Sequence, residues 1–144
     1  MDVVYLGFDH SSILNAIEKE KNKFNNDYRF NIYNIDFHHD IVYGTNDEEQ
    51  IVNSNICNCG NWIGYLNFNN YIKNYVWYKG IDSFFDREKL TDIKNPFCPK
   101  KLKVEDDLNN FPLDLNITIL YITFSPSWVP INFDNKIIQL LNNI

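Results

Sequence analysis

The chain has 144 residues, 44% of them hydrophobic and 16% aromatic, enough for one domain with a real core. Its 13 basic and 19 acidic side chains give a net charge of −6, which argues against a nucleic-acid backbone or an anionic membrane as the main partner. Three cysteines, two of them in Cys57-Asn58-Cys59, make a disulfide framework improbable, so an intracellular, cytoplasmic location is expected. The N-terminus shows no basic region or cleavage site of a signal peptide, and no apolar run approaches a membrane span.

In chain order, Val3 to Phe8 is a short β-branched and aromatic run and predicts a buried strand. The next segment has Ile13, Leu14, Ile17 and Phe24 at helical spacing, with Ser11 or Ser12 as candidate N-cap. Tyr28 to Phe37 predicts a second strand, which makes a βαβ unit of the first forty residues or so. Asn46 to Asn55 reads as a short helix or loop with acids in its first turn. A helix is expected around Trp62 to Asn69 and a strand over Asn74 to Tyr78. Asp86 to Asp114 is polar and proline-containing, an irregular excursion with room for one short strand. Ile117 to Phe124 is continuous and β-branched, the mark of a central parallel strand. Pro126 and Pro130 interrupt the chain, and Ile131 to Ile144 has the pattern of a closing amphipathic helix. The expected architecture is one α/β domain over 1–144, three-layered, with a mostly parallel sheet and helices on both faces.

In such sheets ligands bind beyond the carboxyl ends of the strands. All three histidines fall at such ends, each near an aspartate: Asp9-His10 after the first strand, and Asp36-Phe37-His38-His39-Asp40 after the second. In an extended segment Asp36, His38 and Asp40 would share a face. Two carboxylates and an imidazole form a hard, mixed oxygen and nitrogen ligand set, and His10 from the neighbouring strand would add a fourth donor. The plainer alternative makes these residues turn and helix caps. His39 is a candidate acid/base group because an unperturbed imidazole titrates near neutrality. Asp9 is a candidate to orient a ligand histidine.

Gly7-Phe8-Asp9-His10-Ser11 resembles the Gly-Gly-Asp-His-Ser segment of the arginase and agmatinase superfamily, the ureohydrolases, and Asp36 to Asp40 resembles that superfamily's Asp-x-His-x-Asp metal motif. Gly60-Asn61-Trp62-Ile63, followed by Tyr75 to Tyr78, resembles the smaller branch that includes the peptide arginases. The resemblance covers roughly Val3 to Tyr78. It implies an arginase-like fold and a metal-dependent hydrolase, in which two Mn²⁺ ions activate a bridging water that attacks a guanidinium carbon. The implied substrate is a guanidino group on a small molecule or peptide, such as a peptidyl arginine converted to ornithine and urea. Carried over residue by residue, His10 and Asp40 would bind one metal, His38 the other, and Asp36 both. The chain departs from that pattern at the later strand. Thr123 and Ser125 stand where the family has a further Asp-x-Asp pair. Either one or two ions are held by a reduced site, or the chain is a catalytically degenerate binding or regulatory module.

Other features read more blandly. One Cys-x-Cys pair plus Cys98 does not make a structural zinc site. Ser125 lacks a nucleophile elbow, so its candidate role is ligand binding, shared with Asn61 and Trp62. Trp62, Tyr65, Trp77 and Tyr78 suit either an aromatic wall for a cation or the core. No Walker or Gly-x-Gly-x-x-Gly loop is present.

Overall fold

A computed structural model describes residues 3–7, 10–23, 28–36, 38–79, 93, 96–111, 119–123, 139 and 142. Over these residues the chain has a mixed α/β fold. The elements, in order, are β1 (Val3–Gly7), α1 (Ile13–Lys21), β2 (Phe30–Ile35), α2 (Thr45–Ser54), α3 (Trp62–Phe68), β3 (Ile72–Tyr78), β4 (Leu102–Glu105) and β5 (Ile119–Thr123). All recorded strand pairs are parallel. They form one sheet of order β2-β3-β4 and a pair β1-β5, so β5 has a single strand partner among the described residues.

The registers place the functional end of the fold. Gly7 lies opposite Thr123, so β1 and β5 end level with each other. Ile35 lies opposite Tyr78, and Tyr78 opposite Glu105, so β2, β3 and β4 also end together. β4 is the short strand that the polar excursion had room for. Phe24, Ser125, Asp9 and all of the expected closing helix except Gln139 and Asn142, both helical, lie outside the described residues.

α1 begins after a 3-10 turn at His10–Ser12. Ser12 occupies the N-cap position, as one of the two expected candidates, with helical backbone angles and no side-chain capping hydrogen bond. The preceding turn already brings the chain in with a helical sense. The core joins Ile17 of α1, Phe30 and Ile32 of β2, Ile51 of α2, Trp62, Ile63 and Leu66 of α3, and Tyr75 and Trp77 of β3. Trp62, Tyr65, Trp77 and Tyr78 are all buried, so the aromatic-wall reading gives way to core. Burying such large rings contributes more than any other side-chain type to a core of this size. Glu105, Asp106 and Asp107 close β4, with Lys103 paired to Glu105 and Lys79 to Asp106. Among the described residues, no helix is long and apolar enough to cross a membrane.

α3 lies unusually close to the chain after β2. A Cβ added at Gly64 would sit 2.0 Å from the Ile41 carbonyl oxygen and 3.1 Å from Val42 Cγ1. Glycine is therefore what lets the first turn of α3 rest on residues 40–42. The Ile63 N–H uses that approach to donate to the Asp40 carbonyl at 2.9 Å.

Candidate metal centre

β2 stops at Ile35, and the chain bends at Asp36 and His38 in place of the extended continuation expected from its alternation. Asp40 has φ of 53°, in the left-handed region. A non-glycine residue held there carries strain that the surrounding structure must offset, and such residues cluster at functional sites. What holds the turn is a set of side chains reaching its backbone, with Trp77, Asn34 and Tyr75 buried. Trp77 Nε1 donates to the Asp36 carbonyl at 2.8 Å. Asn34 Nδ2 donates to the His38 carbonyl at 3.3 Å and to the Tyr75 hydroxyl at 3.1 Å. That hydroxyl donates to the His39 carbonyl at 2.8 Å. The Asp40 N–H donates to the Tyr43 hydroxyl at 3.2 Å, and the His38 N–H to Asp36 Oδ1 at 3.0 Å. The Asp36 and His39 carbonyls are buried, where an unmet acceptor would cost about 1–3 kcal/mol. The turn is thus fixed from below by the β2-β3 sheet and from the side by α3.

The shared-face argument for Asp36 and Asp40 fails on the backbone, yet the turn brings their carboxylates together by another route. Asp36, Asp40 and His10 each offer a ligand atom, and these atoms lie within 4.8 Å of one another. His10 sits between the two acids. Its Nδ1 is 3.0 Å from Asp40 Oδ2 and its Nε2 is 3.3 Å from Asp36 Oδ2. Both aspartates are buried, with side chains 3% and 4% exposed. Two carboxylates so deep in a core are costly unless a cation compensates them. Asp40 Oδ2 also accepts from Trp62 Nε1 at 2.7 Å, whereas Oδ1 of the same carboxylate has no hydrogen bond among the described residues. A buried carboxylate oxygen without a donor, next to a second carboxylate and an imidazole, fits a divalent cation.

His38 stands at the margin of this cluster, half-buried, with Nδ1 3.5 Å from Asp36 Oδ1. Burial lowers its pKa; the Asp40 carboxylate works against that and the nearby His10 adds to it. His38 is therefore a neutral nitrogen donor at neutral pH.

His39 is placed differently from its expected acid/base role. Its ring is buried, stacks on Tyr43 at 4.6 Å between centroids and meets Trp77 edge-on. Nδ1 accepts the Ile41 N–H at 3.0 Å. Burial, with a smaller push from His38, lowers its pKa to about 4. The near-neutral titration behind the acid/base assignment is absent, because the ring has left water.

Asn61 and Trp62 also differ from the substrate-contact expectation. Asn61 is fully buried; its Oδ1 accepts the Asn58 N–H at 2.8 Å, while Asn58 Oδ1 accepts the Gly60 and Asn61 N–H groups. This reciprocal turn fixes the entry to α3. Trp62, 4% exposed, reaches Asp40 through its N–H and meets His10 edge-on at 5.9 Å. Sequence reasoning did not find that hydrogen bond; Gly64, a glycine within a short helix, was the available signal of a close approach. Cys57, Cys59 and Cys98 form no disulfide, and none joins a metal-ligand group among the described residues.

No family model, no curated protein and no solved structure matches the chain.

Proposed function

We propose that the chain is a metal-dependent hydrolase of a linear carbon–nitrogen bond, acting on a guanidino group such as that of a peptidyl arginine. One observation supports the metal above all: His10, Asp36 and Asp40 converge from the ends of two strands, with the buried Asp40 Oδ1 lacking a hydrogen bond among the described residues. The hydrolytic reading rests on the resemblance of the two motifs to those of the ureohydrolases.

His10, Asp36 and Asp40 would hold the cation, with His38 as a further nitrogen donor. Oxygen and nitrogen donors of this hardness suit Mn²⁺. When bound, such an ion supplies Lewis-acid polarisation and makes water a nucleophile near neutral pH. The chain's own part is to orient and to exclude water. The turn clamped by Trp77, Asn34 and Tyr75 fixes the two acids, and the buried core beneath them lowers the local dielectric. Thr123 ends β5 level with Gly7, where the family carries a carboxylate, so the donor count suits one ion better than two. That substitution also favours a second reading, a degenerate module that keeps the fold and part of the ligand set for binding.

The test is urea release from arginine-containing peptides by the Mn²⁺-loaded protein, beside Asp36→Ala. Release that Asp36→Ala abolishes is the expected result. Metal binding without release from any guanidino substrate would leave the binding module as the better reading.

A proton accompanies the metal. Both ring nitrogens of His10 face carboxylate oxygens, a pattern that only a doubly protonated ring satisfies in full. To ligate, one nitrogen must lose its proton. Mn²⁺ binding is expected to release about one proton and to tighten as pH rises. Calorimetry in two buffers of different ionisation heat reads this directly, and equal apparent heats would contradict it.

A further inference from the structure

Asp40 is held at four points, two of them on the same carboxylate oxygen, Oδ2, which meets both His10 Nδ1 at 3.0 Å and Trp62 Nε1 at 2.7 Å. Its N–H is engaged by the Tyr43 hydroxyl and its carbonyl by the Ile63 N–H, so its left-handed backbone is fixed on both sides. What remains free is the rotation of the carboxylate. Trp62 Nε1 and His10 Nδ1 together restrict it at Oδ2, and the 2.7 Å hydrogen bond from Trp62 is the shortest that Asp40 makes. The indole is 4% exposed and its edge packs against the His10 ring, so the same side chain touches two of the three clustered residues.

We propose that Trp62 is a positioning residue for the metal centre: its N–H anchors Asp40 Oδ2 and leaves Oδ1 as the oxygen available to a cation. This rests on the metal reading above and extends it to a residue outside the ligand set. An indole is suited to the task. It is a donor only, so it cannot compete for the cation. Its position is set by the Asn58–Asn61 turn before it and by Gly64 after it, which together bring the start of α3 onto the turn. Partners of this kind typically change metal affinity about 10- to 100-fold when removed.

The experiment measures Mn²⁺ affinity of the full chain by calorimetry for wild type and Trp62→Phe, which keeps a buried aromatic ring and deletes the donor. A Kd raised about 10- to 100-fold, with a thermal transition retained, is the expected result. A Kd within about twofold of wild type would overturn the positioning role and leave the metal reading standing. Wild type that binds no Mn²⁺ would overturn both. An independent reading, which does not depend on Trp62→Phe keeping its fold, uses the indole N–H resonances of the chain's three tryptophans in a ¹⁵N-labelled sample. In Asp40→Asn, where the backbone can stay left-handed, one of those resonances should move upfield as a carboxylate acceptor becomes an amide. If all of them stay in place, Trp62 does not anchor Asp40 and the proposal fails.

Discussion

Gly64→Ala should destabilise the fold by about 3 kcal/mol or more, at the upper end of what overpacking costs. The direction is the informative part. Alanine in a helix interior is normally better than glycine by up to about 1 kcal/mol. Here the new methyl would stand 2.0 Å from the Ile41 carbonyl oxygen and 3.0 Å from its carbon, both backbone atoms that cannot swing aside. Either α3 lifts away or residues 40–42 shift. Each movement stretches the Ile63 N–H to Asp40 carbonyl bond and draws Trp62 from the Asp40 carboxylate. Urea unfolding of the variant measures the effect. A stability equal to or above wild type would mean that α3 does not rest on the turn as described.

The second large effect is a pH dependence carried by His39. Its pKa is held at about 4 in the folded chain, chiefly by burial, against 6.5 for an exposed imidazole. Below 6.5 the unfolded chain takes up a proton that the native chain refuses. The unfolded state then binds more protons, so stability falls as pH falls. The contribution is complete above pH 6.5 and is lost progressively down to about pH 4, a total of roughly 3 kcal/mol. His39→Asn removes the titration and keeps a side-chain acceptor for the Ile41 N–H. The stability difference between pH 7 and pH 4 should be smaller in this variant by about that amount. An unchanged difference would show that His39 is solvated and free to take a proton in the folded chain.

Much of the fold was legible because its strands are short runs of β-branched and aromatic residues. β1, β2, β3 and β5 all fall within or beside the predicted segments, with ends moved by one to two residues. α3 was legible from its aromatic and apolar density. α2 was ambiguous for a physical reason: Ile51 is its one buried residue, so its sequence carries almost no amphipathic stripe, and the left-handed Asn55 that ends it has no unique sequence mark. The convergence of His10 with Asp36 and Asp40 was legible from strand-end placement, although the reasoning through a shared strand face was not what the backbone does. The bend after β2 is imposed by Trp77, Tyr75 and Asn34, two of them some 36 to 41 residues away in the chain, and local alternation cannot register such partners. The same distance hides the fate of the adjacent histidines. His38 and His39 are alike as letters, and only the left-handed Asp40 and the packing of Tyr43 and Trp77 send one ring to the margin of the site and the other into the core.

The central claim is that His10, Asp36 and Asp40 hold a divalent cation. Elemental analysis of the purified chain after reconstitution with Mn²⁺, beside Asp36→Ala and Asp40→Ala, tests it most directly. Expected is about one equivalent of metal in wild type and a loss to background in both variants. Wild type holding no more metal than the variants would contradict it.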